Sequence, residues 1–195
     1  MRHDFIACVA AAMIALAGCN EKQAAEMPKP YALDAEAIGH YCGMNVLEHP
    51  GPKGQIFAAS LIEPVWFSSV RDTITFTMMP DEPKDILAIY VSDLGKAPNW
   101  EKPGADNWIE ARKALFVIGS RIKGGMGSDE LVPFAERAAA ERFAGENGGR
   151  IVTFDQLSRD DVLAPGGARG DAILDDEAGG KHDSDDPEKR QGAQR

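Results

Sequence analysis

Apolar positions in the chain gather into short clusters separated by turn-forming residues. Residues 55–61, 86–91, 113–118 and 150–154 are runs rich in β-branched and aromatic side chains, and each predicts a strand. Between the first two runs, residues 69–79 carry two competing signals. Thr73-Ile-Thr-Phe-Thr77 alternates as a strand does, whereas Ser69 followed three residues later by Asp72 has the form of a helix cap. A helix over 69–79 is the better reading. Between the last two runs, residues 128–144 place Leu131, Phe134, Ala135, Ala138, Ala139 and Phe143 on one helical face, with Gly145 as the stop. Two strand–helix–strand halves predict a duplicated α+β unit whose helices cover one or both sheets.

The chain ends read differently. Arg2 precedes an apolar stretch over residues 5–16 that is too short to span a bilayer. The stretch ends in Leu16-Ala17-Gly18-Cys19, which resembles a bacterial lipobox. Residues 1–18 are therefore expected to be a lipoprotein signal peptide, with Cys19 acylated and anchoring the chain to a membrane on the periplasmic side. Asn20 at the next position favours the outer membrane over the inner one. Residues 19–34, with Pro28 and Pro30, read as a flexible linker, and residues 161–195 as a disordered acidic tail too poor in large apolar groups to offset its ordering entropy. One domain is left, over 35–160.

Charge narrows the partners. With 31 acidic and 21 basic side chains the formal net charge is −10, which argues against nucleic acid as a partner. Processing also changes the cysteine count. Cys8 leaves with the signal and Cys19 carries lipid, so Cys42 is the one thiol that remains of three, with no intramolecular disulfide partner.

Enzymatic motifs are scarce: there is no nucleophile elbow, no phosphate loop with lysine and no haem attachment site. What stands out is Gly39-His40-Tyr41-Cys42-Gly43-Met44. A thiol and a thioether two residues apart in a glycine-flanked bend can face one point, and soft sulfur ligands select Cu(I) over harder ions. The same spacing equally fits a buried cysteine and a core methionine at a strand start, so spacing alone leaves both open. Gly124-Gly125-Met126-Gly127 tips the balance, because glycine neighbours leave the methionine uncovered. The expected helix just after it would place a positive dipole end nearby. Met78-Met79 before Pro80 fits core packing or a helix stop better than ligation. His40 could add an imidazole from the Cys42 loop, while His49 in a turn and His182 in the tail are weaker candidates. Trp66, Trp100 and Trp108 fit packing or an interface better than cofactor binding.

Taken in order, the lipobox, His40-Tyr41-Cys42-Gly43-Met44, Gly125-Met126-Gly127 and Val132-Pro133-Phe134 resemble the NosL family, copper chaperone lipoproteins of nitrous oxide reductase maturation. The resemblance runs from Met1 to about Phe154. It implies a pair of ββαβ units like part of organomercurial lyase, and a lipid-anchored protein that binds one Cu(I). It further implies delivery of copper for the copper-sulfide centre of nitrous oxide reductase, with the reductase apoprotein and its ABC-type maturation complex as partners. Carried over residue by residue, the thiolate falls on Cys42 and the thioethers on Met44 and Met126, with His40 as a further candidate. A homodimer sharing copper between chains is compatible with this set.

Three other readings have discriminating signs. An alkylmercury lyase-like enzyme needs paired thiolates, and the processed chain has one. A blue-copper electron carrier needs two histidines clustered with the cysteine, a pattern absent around His49. A lipid-anchored scaffold with an inert cysteine would bind no Cu(I) at all.

Overall fold

The strand signals resolve into two antiparallel sheets. The computed structural model describes residues 26–163. In it β1 (Gly54–Ala58), β2 (Val65–Phe67), β3 (Ile86–Ser92) and β4 (Trp108–Glu110) form a sheet in the order β2-β1-β3-β4. A second sheet has the order β6-β5-β7, from β5 (Leu115–Ile118), β6 (Val132–Phe134) and β7 (Arg150–Thr153). Helix α1 (Val70–Met78) follows β2, α2 (Arg137–Asn147) follows β6, and α3 (Arg159–Leu163) ends the described chain. Each half is therefore ββαβ with its first strand in the middle, as the family resemblance implies; the strand–helix–strand pattern lacks the second strand of each half, and β4 is an added edge. The segment expected to be a signal peptide, Cys19, His182 and the chain after Leu163 lie outside the described residues.

Helix α1 forms despite its alternating threonines. The Ser69 hydroxyl accepts from the Asp72 amide at 3.0 Å, and Pro80 follows the last turn. Val70, Thr73, Ile74 and Phe76 are buried, so packing outweighs the local strand propensity.

The second helix starts later than its apolar spacing predicts. Residues 132–134 are strand β6 instead, with Phe116 opposite Pro133, and α2 begins only at Arg137. Pro133 is the cause: in a helix interior it would remove a hydrogen bond and strike the preceding turn, whereas on the edge of a sheet its missing N–H costs nothing. Leu131 and Phe134 therefore enter the core from extended chain rather than a helical face. Helix α2 also runs past Gly145 and ends at Gly148, where φ is 72°. The short strands β2 and β4 are too brief to leave a periodic signal.

One core lies between the two halves. Ile56, Phe67, Ile74 and Ile89 from the first unit pack with Phe116, Ile118 and Val152 from the second. A smaller cluster joins α2 to its own sheet through Val117, Val132, Phe134 and Ala140. The chain ends are tied in further than the pattern predicts. In the segment read as linker, the Tyr31 amide donates to Gln55 Oε1 at 2.9 Å, the Tyr90 hydroxyl donates to the Pro28 carbonyl at 2.6 Å, and Leu33 is buried. Beyond 160, Val162 is buried and Arg150 pairs with Asp161 at 2.8 Å, so the first residues assigned to the tail belong to α3.

Candidate metal centre

Two small hairpins carry the sulfur atoms. The first opens with the bridge between Ile38 and Asn45 and is closed by the Gly39 amide donating to the Met44 carbonyl at 2.9 Å. Across its tip the Gly43 amide donates to the Gly39 carbonyl at 2.8 Å, and Gly43 has φ 66°, a left-handed conformation that glycine adopts without strain. The hairpin is held to the edge of the first sheet, since the His40 amide donates to the Trp66 carbonyl at 2.8 Å. Cys42 sits inside the bend. Its Sγ lies 3.6 Å from Ser68 Oγ and 3.9 Å from the carbonyls of Gly39 and Met44. A Cβ at Gly39 would fall 2.5 Å from that sulfur, so only glycine lets it settle over the backbone. Cys42 is half-buried, and Met44 beside it is 40% exposed.

The second hairpin is built the same way. Lys123 and Asp129 bridge and form an ion pair, the Gly124 amide donates to the Ser128 carbonyl at 2.9 Å, and Gly127 turns the tip with φ 78°. Met126 rides on it and is 50% exposed. The chain after this hairpin is β6 rather than a helix, so the segment that follows Met126 brings no helix dipole to it. The two hairpins border two adjacent residues. Ser68 touches the Cys42 sulfur, and the next residue, Ser69, lines a small cavity together with Met126, Gly124 and Glu130.

His40 points elsewhere. Its Nε2 lies 3.1 Å from Glu82 Oε1, and its ring packs on Tyr41, Phe67 and Phe76 at 4.8, 5.9 and 5.4 Å. The Tyr41 hydroxyl donates to the same Glu82 oxygen at 3.0 Å, and burial followed by that bond holds its phenol well above the ordinary value. Met78 packs against the main core, and Trp66 faces Trp108 at 6.0 Å beside a small cluster around Leu33 and Val46. Among the described residues no group of three or more His, Cys, Asp or Glu is placed to hold a metal.

Two charged residues that the sequence reading missed lie beneath the hairpins. Lys53 is 1% exposed, and burial pulls its ammonium down to about 8 against the opposing pull of Glu130 and Cys42. Glu130 is 3% exposed; one of its oxygens accepts the amides of Arg71 and Leu131, each at 2.9 Å. Burial pushes its carboxyl up to about 7. No signal in the sequence marks either as buried.

Glu130 makes stability depend on pH with a definite sign. Its folded value of about 7 lies above the ordinary 4.5, so between those values the folded chain keeps a proton that the unfolded chain has lost. Stability from this group is full below that window and falls as pH rises through it. Glu130→Gln carries no such cost. Urea midpoints converted to free energy should show the variant gaining on wild type by on the order of 2 kcal/mol between pH 5 and pH 7. A gap that stays constant would contradict the assignment.

With this geometry in hand, the NosL family model matches residues 30–162. A copper-binding lipoprotein NosL from Achromobacter cycloclastes is 43% identical over 170 residues, 87% of this chain and 88% of that protein. A second copper-binding lipoprotein NosL, from Stutzerimonas stutzeri, is 33% identical over 145 residues, 74% of each. Among solved structures, the crystal structure of the copper chaperone NosL from Shewanella denitrificans superposes with TM-score 0.64 at 34% identity, over 68% of this chain and 98% of that one.

Proposed function

The chain belongs to the NosL family, and on that premise we propose that it is a lipid-anchored carrier of Cu(I), held by Cys42, Met44 and Met126. One observation carries the reading: two glycine-turned hairpins present a half-buried thiol and two exposed thioethers on either side of the adjacent residues Ser68 and Ser69. Methionines left 40% and 50% exposed on two hairpins gain little from burial, whereas a soft cuprous ion rewards both. His40 stands beside this set with its Nε2 held by Glu82. The names of the relatives, copper-binding lipoprotein and copper chaperone, point the same way.

A carrier must also let go. Thioethers on exposed tips can be displaced one at a time, so a ligand from a partner can enter before the thiolate leaves. The receiving site is the copper-sulfide centre of nitrous oxide reductase, reached through the reductase apoprotein and its ABC-type maturation complex, from a periplasmic membrane face and by preference the outer membrane. Binding needs a deprotonated Cys42, so affinity should fall in acid. The test is anaerobic titration with a competing chelator, followed by copper-edge spectroscopy. The expected result is one Cu(I) per chain with sulfur neighbours predominating. A reduced chain that takes up no Cu(I), or a copper shell dominated by nitrogen and oxygen, overturns the proposal.

A further inference from the structure

We propose that Lys53 is a positioning residue that clips the Met126 hairpin to the Cys42 hairpin, so that sulfur from both reaches the same cuprous ion. The inference rests on the copper reading above and deepens it. Lys53 is among the largest fully buried side chains of the described residues, and the ligand set does not use it. Its main chain, just before β1, is tied to the end of β3, because its amide donates to Ser92 Oγ at 3.0 Å and its carbonyl accepts from the Ser92 amide at 3.0 Å. From that anchor the ammonium donates to three carbonyls: His49, Pro50 at 3.2 Å and Ser68 at 3.4 Å.

Those carbonyls belong to the two sides of the site. Ser68 is the residue whose hydroxyl touches the Cys42 sulfur. His49 and Pro50 are the surface on which the Met126 hairpin rests: a Cβ at Gly125 would fall 2.6 Å from the Pro50 carbonyl oxygen and 3.1 Å from His49 Cβ. One ammonium therefore binds the backing of both hairpins. On the far side Glu130 supports the same hairpin, where a Cβ at Gly124 would fall 2.8 Å from its second oxygen. Three converging carbonyls suit an ammonium with three donors, whereas the flat fork of arginine does not match them. Without the cation the carbonyls are left buried and mutually repelling, and the His49–Pro50 segment loses its tie to Ser68.

The test is a double-mutant cycle on the full chain, read by anaerobic Cu(I) competition titration. Met126→Leu is measured once in wild type and once in Lys53→Met. Loss of a residue that orients a metal ligand typically weakens binding by about 10–100-fold. Lys53→Met should fall in that range, lose one sulfur from the copper-edge spectrum, and make the further Met126→Leu change nearly silent. A residue that only stabilised the fold would lower the melting temperature and leave the full cost of Met126→Leu in place. Should Lys53→Met fail to fold, Gly125→Ala replaces it, since the added methyl group pushes the Met126 hairpin off Pro50 with Lys53 intact. Equal costs of Met126→Leu in both backgrounds, or an unchanged sulfur count, overturn the clip. A wild-type chain that binds no Cu(I) overturns the copper reading itself, an outcome the Lys53 variants cannot mimic.

Discussion

Cys42→Ser is expected to weaken Cu(I) binding by about a thousandfold or more, roughly 4 kcal/mol, while leaving the fold intact. The thiolate is the one anionic soft donor among the three proposed ligands. Replacing it with a neutral hydroxyl leaves two thioethers, neutral lone-pair donors that hold a cuprous ion more weakly than a thiolate does. The fold should not notice. Cys42 is half-buried, and its sulfur makes only long contacts of 3.6 to 3.9 Å that a hydroxyl can replace with water or with Ser68. Stability should stay within about 1 kcal/mol of wild type, as for other changes that open no cavity and bury no unpaired group. Met78→Leu is the matching control. Met78 packs against the main core, so the change should move stability slightly and copper binding not at all. A Cys42→Ser protein of undiminished affinity would remove the thiolate from the site and with it the centre of the proposal.

The parts of the site that could be read from the sequence are those whose chemistry is local. A cysteine and a methionine within a glycine-flanked bend, and a methionine between glycines, announce themselves because their neighbours cannot cover them. The structure sets both segments in glycine-turned hairpins, with Cys42 half-buried and Met44 and Met126 exposed. What could not be read is whatever depends on distant chain. His40 is two residues before Cys42 in sequence, yet its ring turns to Glu82, forty-two residues on. Lys53 looks like an ordinary solvated lysine between Pro52 and Gly54, and only the fold brings three carbonyls to its ammonium. The same limit applies to the elements. The duplicated strand–helix–strand order is legible in the pattern, but the second strand of each ββαβ half is not: β2 is too short, and β6 is hidden inside an apparent helical face. Leu131, Phe134 and Ala138 satisfy helical spacing as well as they satisfy a strand followed by a helix, and Pro133 was the residue that should have decided between them.

Gly54→Ala is expected to destabilise the protein by about 3 kcal/mol or more, at the upper end of overpacking effects. An added Cβ would fall 1.9 Å from Thr73 Oγ1, 2.7 Å from Thr73 Cγ2 and 2.8 Å from Thr73 Cβ. Neither side can give way easily. Gly54 lies in a strand paired on both edges, opposite Phe67 on one side and Val91 on the other. Thr73 is fully buried on α1, and its hydroxyl donates to the Ser69 carbonyl at 2.8 Å. Relief requires α1 to lift from the sheet, and the first turn of α1 follows directly from Ser68 and Ser69, the floor between the two sulfur hairpins. Urea midpoints and Cu(I) affinity should therefore fall together in Gly54→Ala. Adding Thr73→Ala removes the two nearest atoms but keeps the Cβ at 2.8 Å, so both properties should recover in part and in parallel. Recovery of stability without recovery of copper affinity would show that the floor beneath Cys42 and Met126 is not set by the seating of α1 on Gly54.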